Sequence, residues 1–169
     1  QSSAQRGVIW WASNHRHHHR FSDQPEDFHS PVQHGLFHSH VGWLFEPSSY
    51  VKRNNAHDLE RVPELRFLND YPMLPAILLG VACWWLLGWS GLVYSFGIST
   101  ILLFHATFSI NSLSHVWGTR RYNTKDDSRN NFWLALITLG EGWHNNHHRY
   151  MKSTRQGFHW WQLDITFLT

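Results

Sequence analysis

The uncharged run Tyr71–Thr119, "YPMLPAILLGVACWWLLGWSGLVYSFGISTILLFHATFSINSLSHVWGT", decides the fold class of this chain. All 14 Lys and Arg residues lie outside it, and so do all 12 Asp and Glu residues. A helix that crosses a bilayer needs roughly 20 apolar residues, so the run has room for two with a tight turn. "GWSG" (Gly88–Gly91) is the turn expected between them, with Trp84, Trp85 and Trp89 placed like an interfacial belt. The first helix is predicted over Met73–Leu87 and the second from Leu92 past Phe108. The second carries Ser95, Ser99, Thr100, His105, Thr107 and Ser109, as expected of a helix that faces protein or a cavity. The competing reading is a buried hairpin of a soluble protein. The mean hydropathy of −0.41 does not favour it, because the polar flanks dominate that average.

A hairpin brings both flanks out on one side of the membrane. Residues 1–70 and 120–169 therefore share a compartment, with the hairpin occupying 71–119. Both flanks are basic: Arg6, Arg16, Arg20, Lys52, Arg53, Arg61 and Arg66 on one, Arg120, Arg121, Lys125, Arg129, Arg149, Lys152 and Arg155 on the other. The positive-inside rule puts them in the cytoplasm. At 169 residues the chain reads as one domain. Its net charge of +2 is too small to argue for nucleic acid, and its single Cys83 excludes an internal disulfide. It starts at Gln1 and ends in "WWQLDITFLT", so it reads as a fragment of a longer protein.

The chain has 15 histidines. "NHRHHHRFSD" (14–23) contains His15, His18 and His19, and "GEGWHNNHHRY" (140–150) contains His144, His147 and His148 in the same H-x-x-H-H spacing. On a helix, positions i, i+3 and i+4 share a face, so each box presents three imidazoles together, with His17 turned away. Between the boxes, "NSLSHVWG" places Asn111 and His115 four residues apart at the mouth of the hairpin. Imidazole suits zinc, copper, iron and nickel alike. No Cys stands near the boxes, as a structural zinc site usually requires. Seven histidines exceed the needs of one ion and imply two. The remaining histidines, His29, His34, His38, His40, His57, His105 and His159 among them, are expected to be hydrogen-bonding or interfacial residues.

The order HRxHH, SHVGW, spanning hairpin, NSxxH, GEGWHNNHH resembles the membrane-bound fatty acyl desaturases of the Δ9, stearoyl-type class over essentially the whole chain, and the tail "GFHWWQLDITFLT" looks most like the bacterial and cyanobacterial members. The resemblance implies an all-α membrane protein of four spanning helices beneath a cytosolic cap that carries a di-iron site. It implies His15, His18, His19, His115, His144, His147 and His148 as metal ligands, with Asn111 reaching a metal through water. It further implies two iron ions, O2 as co-substrate, a fatty acyl substrate, and an electron donor such as cytochrome b5 or a ferredoxin. The boxes would lie on the cytoplasmic side of an integral membrane protein.

The chain also departs from that pattern. The first box of the family, HxxxxH, does not precede His15, so the chain alone is not expected to hold a complete active site. Ser13-Asn14 replaces an Arg-Asp pair of the animal acyl-CoA members, "EPSS" (46–49) replaces a basic pair, and Phe108 stands where those members have a tunnel Trp. Asn14 and Phe108 are therefore candidate substrate contacts. Coenzyme A, acyl carrier protein and intact lipid all stay open as carriers. Asp23, Glu26, Asp27, Asp58, Asp126 and Glu141 could orient the ligand rings. Glu141 is the favoured one, three residues before a ligand and flanked by glycines. The third-box helix is expected to begin near Ser128, which would cap it. Two other functions compete: a histidine-rich membrane hydroxylase, and a membrane zinc-binding or transport protein.

Overall fold

The computed structural model describes residues 1–51 and 53–169, so Lys52 of the basic flank lies outside the described residues. Among the described residues there is no strand; isolated bridges join Thr119 to Asn130 and Asn130 to Trp143, and the rest is helix and loop. The described chain forms two compact units, Gln1–His17 with Val51–His105, and His18–Tyr50 with Ala106–Thr169.

In the first unit the apolar segment turns back on itself. The stretch Leu74–His115 is helical, long and apolar enough to cross a membrane, and mostly exposed. At Gly88 the backbone leaves the helical region, with φ 64° and ψ −153°, a combination open essentially to glycine alone. A Cβ added at Gly80 would stand 3.4 Å from the Phe96 ring, and one at Gly91 would meet the carbonyl of Cys83. Residues 16 apart would lie about 24 Å apart along a straight helix, so the chain reverses at Gly88. Ala76 and Gly80, one turn apart, are the buried positions of the first arm, where small side chains let helices approach closely. That arm, Leu74–Leu87, is about 21 Å long, short of the roughly 30 Å hydrocarbon core.

Two of the polar residues of the second arm satisfy their hydroxyls within their own helix. Ser99 and Ser109 bond carbonyls of their own preceding turns, Ser95 and Ala106, both at 2.6 Å. Such back-bonding satisfies a hydroxyl inside an apolar helix.

In the second unit the chain from His115 to the third box is held by short local locks. Asn130 and Thr119 exchange N–H···O bonds of 2.8 and 2.9 Å, and Asn131 N–H donates to Gly142. The third-box helix does not begin near Ser128. A separate helix, Phe132–Ile137, is capped by the Asn131 side chain, which accepts from the N–H groups of Trp133 and Leu134. It buries Leu134 and Ala135 and exposes Trp133 and Ile137. "TLGEG" then breaks it, with Leu139 and Gly140 both at positive φ. The box helix itself runs only from His144 to Arg149. Ser128 instead accepts from the Asn145 amide at 3.3 Å.

Candidate metal centre

The helix Val8–Phe21 carries the upstream box, the end of the apolar segment supplies His115 in the turn Leu113–His115, and the helix His144–Arg149 carries the downstream box. Within the second unit, His18, His115, His144 and His148 come together, all buried. One ring nitrogen from each lies within 4.8 Å of the others. His115 Nε2 and His144 Nε2 are 3.1 Å apart, and His19 Nε2 and His147 Nε2 are 2.8 Å apart. Two nitrogens on one ion at about 2.1 Å and at right angles would stand about 3 Å apart.

Three carboxylates back this cluster. Asp27, fully buried, takes the Nδ1–H of His18 at 2.9 Å. Asp23 takes that of His115 at 2.7 Å, and Asp126 that of His148 at 2.9 Å. Each bond fixes a tautomer with the proton on Nδ1, so that Nε2 presents a lone pair. Glu141, the carboxylate favoured from sequence, is not among them. Burial and the neighbouring Asp164 push its carboxyl up. Glu26 is exposed, and Asp58 pairs with Arg16 in the first unit.

The electrostatics favour ligation. Burial first, and then the crowd of other imidazoles, drives His144 and His148 far below the usual histidine value. Burial, with His18 next, lowers His147 to about 4. These rings are neutral at physiological pH, the form that binds a metal. Burial alone would raise Asp27, yet its bonds from His18 and His29 outweigh it and hold the carboxylate far below its usual range. Nε2 of His148 is buried with no hydrogen-bond partner. A buried acceptor aimed at three more imidazoles is the donor set a cation would satisfy, and the residues fit a metal.

The remaining sequence candidates fall as follows. His15 belongs to the first unit, where it stacks on Trp11 at 4.6 Å. The Asn111 carbonyl accepts from Ser39 at 3.1 Å. Phe108 is buried, edge-on to Trp43 at 5.7 Å and to His40 at 6.1 Å. Asn14 is buried, donates to the Trp10 carbonyl and accepts from Arg53 Nε at 3.0 Å. His34, His38 and His40 hydrogen-bond to Asp27 O, Phe28 O and Ser112, as expected of structural histidines. His29 lies 2.8 Å from the second oxygen of Asp27, a link that sequence reasoning missed, although "PEDFH" puts it two residues away.

The fatty acid desaturase family model matches residues 4–167 of the chain. The chain belongs to the fatty acid desaturase family. Among its relatives, a probable lipid desaturase of Arabidopsis thaliana, ADS3.2, chloroplastic, is 45% identical over 94% of this chain and 45% of its own length. Delta-9 acyl-lipid desaturase 2 of the same plant is 42% identical over 94% of this chain and 53% of its own length. The icosanoyl-CoA 5-desaturase of Limnanthes douglasii is 41% identical over 93% of this chain and 45% of its own length. The chain thus spans about half the length of the curated relatives it matches. All three relatives are plant proteins, and their names place the double bond or the acyl carrier differently.

Proposed function

We propose that the protein inserts a cis double bond, at Δ9, into a saturated fatty acyl chain, as a single desaturase domain across residues 1–169 of a four-helix membrane protein. The observation that carries this reading is the buried group His18, His115, His144 and His148 with a carboxylate behind three of its members, in a chain of this family. The overall reaction removes two hydrogens from the acyl chain. With two electrons from a donor such as cytochrome b5 or a ferredoxin and two protons from solvent, O2 is reduced to two waters. Two iron ions, held by these histidines with His15, His19 and His147 and reached by Asn111 through water, would supply the activation of O2. His15 stands one turn before His19 on the same helical face.

The protein's own residues do the rest. Asp23, Asp27 and Asp126 hold the Nδ1 protons of three rings and so keep Nε2 open for ligation. Phe108 stands two helical turns before His115, which supports it as a wall of the acyl slot. Asn14, with Arg53 donating to it, is the polar contact for the head of the substrate. The apolar hairpin sits in the bilayer with both ends on the cytoplasmic side, which supports delivery of the acyl chain from the membrane.

The test is fatty-acid analysis of a desaturase-deficient host expressing the complete protein, with His18→Ala as control. Derivatives that locate double bonds by mass spectrometry would show a new Δ9 monounsaturated acid that vanishes in the variant. Fractions separated into acyl-CoA, acyl carrier protein and lipid pools would identify the carrier. Hydroxylated acids in place of alkenes would overturn the proposal.

A further inference from the structure

Asp23 follows the upstream box by four residues and gathers four donors around its carboxylate and backbone. Its Oδ2 accepts the Nδ1–H of His115 at 2.7 Å and the N–H of Asp127 at 2.8 Å. Its Oδ1 accepts from Ser30 Oγ at 2.6 Å, and its carbonyl accepts from Gln33 at 2.8 Å. Its own N–H donates at 3.1 Å to Oδ2 of Asp27, the oxygen that takes the His18 proton. The residue bonded at Asp127 directly follows Asp126, which holds His148. One connected network therefore joins three rings of the cluster, and Asp23 is bonded to both other branches.

The backbone at Asp23 pays for this placement: φ is 60°, left-handed and costly for a residue with a Cβ. Its side chain is 6% exposed. Asp is among the residues that tolerate this region, and here its carboxylate takes the His115 proton.

We propose that Asp23 is a positioning residue for the metal centre: its charge fixes His115 with Nε2 toward the cluster, and its bonds to the Asp27 and Asp127 segments hold His18 and His148 in register with it. This rests on the metal-centre reading above. Asp23→Asn keeps the shape: the amide oxygen can face His115 and Asp127 while the amide nitrogen donates to the Ser30 hydroxyl, so that the charge is lost and the Ser30 bond reverses.

The experiment is a cobalt(II) titration of the complete protein, purified metal-free in detergent and followed by its visible absorption bands. A wild-type protein without cobalt bands would overturn the metal-centre reading itself and this inference with it. Given wild-type binding, Asp23→Asn is expected to weaken cobalt affinity about tenfold or more and to shift the bands, with helix content unchanged. Ser30→Ala, which keeps the carboxylate on His115, is expected to stay within about twofold, a fraction of the effect of losing a ring-orienting carboxylate. Asp58→Asn, an equal loss of charge in the other unit, is expected to have no effect. Wild-type affinity and bands in Asp23→Asn would overturn the proposal, as would equal weakening in Ser30→Ala. Should Asp23→Asn fail to fold, nitrogen-15 NMR of the wild-type metal-free protein decides: a His115 proton on Nδ1 supports the proposal and one on Nε2 overturns it.

Discussion

Nε2 of His115 stands 3.1 Å from Nε2 of His144, across 29 residues of chain. Asp23 takes the His115 proton on the far side of that ring, so His115 brings a lone pair to the meeting point. Burial and neighbouring rings keep His144 from charging. With the His115 proton held by Asp23, a cation at this point would take the two facing Nε2 atoms as ligands.

Removing one of them should therefore cost the metal before it costs the fold. In His144→Ala, bound iron measured by mass spectrometry is predicted to fall to less than half, and desaturation more than about 100-fold, beyond the loss typical of an orienting partner alone. Full iron content in this variant would remove His144 from the centre.

The lowered imidazoles set an acid limit on the metal-free protein. His147 binds its proton only near pH 4 when folded, against an ordinary value of 6.5. Between these values the unfolded chain takes up a proton that the folded chain refuses, so stability falls as pH falls. His144 and His148 act in the same direction. The melting temperature of the metal-free protein is predicted to drop steadily from pH 6.5 to 4, and His147→Gln to flatten part of that slope.

Gly142 has a packing role that can be separated from chemistry. A Cβ there would overlap the N–H of Ala135 and the carbonyl carbon of Leu134, and the segment it would displace leads directly to His144. Gly142→Ala is predicted to destabilise the fold by about 1–3 kcal/mol, as overpacking does, and to reduce iron content. Thermal melts and metal analysis on the same sample check both.

Gly88→Ala tests the reversal of the apolar segment. The conformation at Gly88 costs a residue with a Cβ about 1–3 kcal/mol, with open space around it. The variant is predicted to melt earlier while iron content at the histidine cluster stays at the wild-type level.

The apolar segment, its turn and the histidine spacing were legible because each is a local pattern: charge absence, a glycine pair, and i, i+3, i+4 on one face. The carboxylates were not. Asp23 meets His115 across 92 residues and Asp126 meets His148 across 22, and only tertiary packing selects them over Glu141, which has the better local position. The third-box helix was misjudged for a related reason. The run "NFWLALITLG" is apolar enough to continue a helix, yet Leu139 and Gly140, both at positive φ, turn the chain so that the box begins afresh at His144.

The most direct test is iron content with Mössbauer spectroscopy on the complete protein purified under reducing conditions. Two iron ions per chain, with nitrogen-rich ligand signatures that disappear in His18→Ala, are the predicted result. One or two zinc ions in place of iron, or iron that survives the loss of His18, would contradict the assignment of this histidine cluster as a di-iron centre.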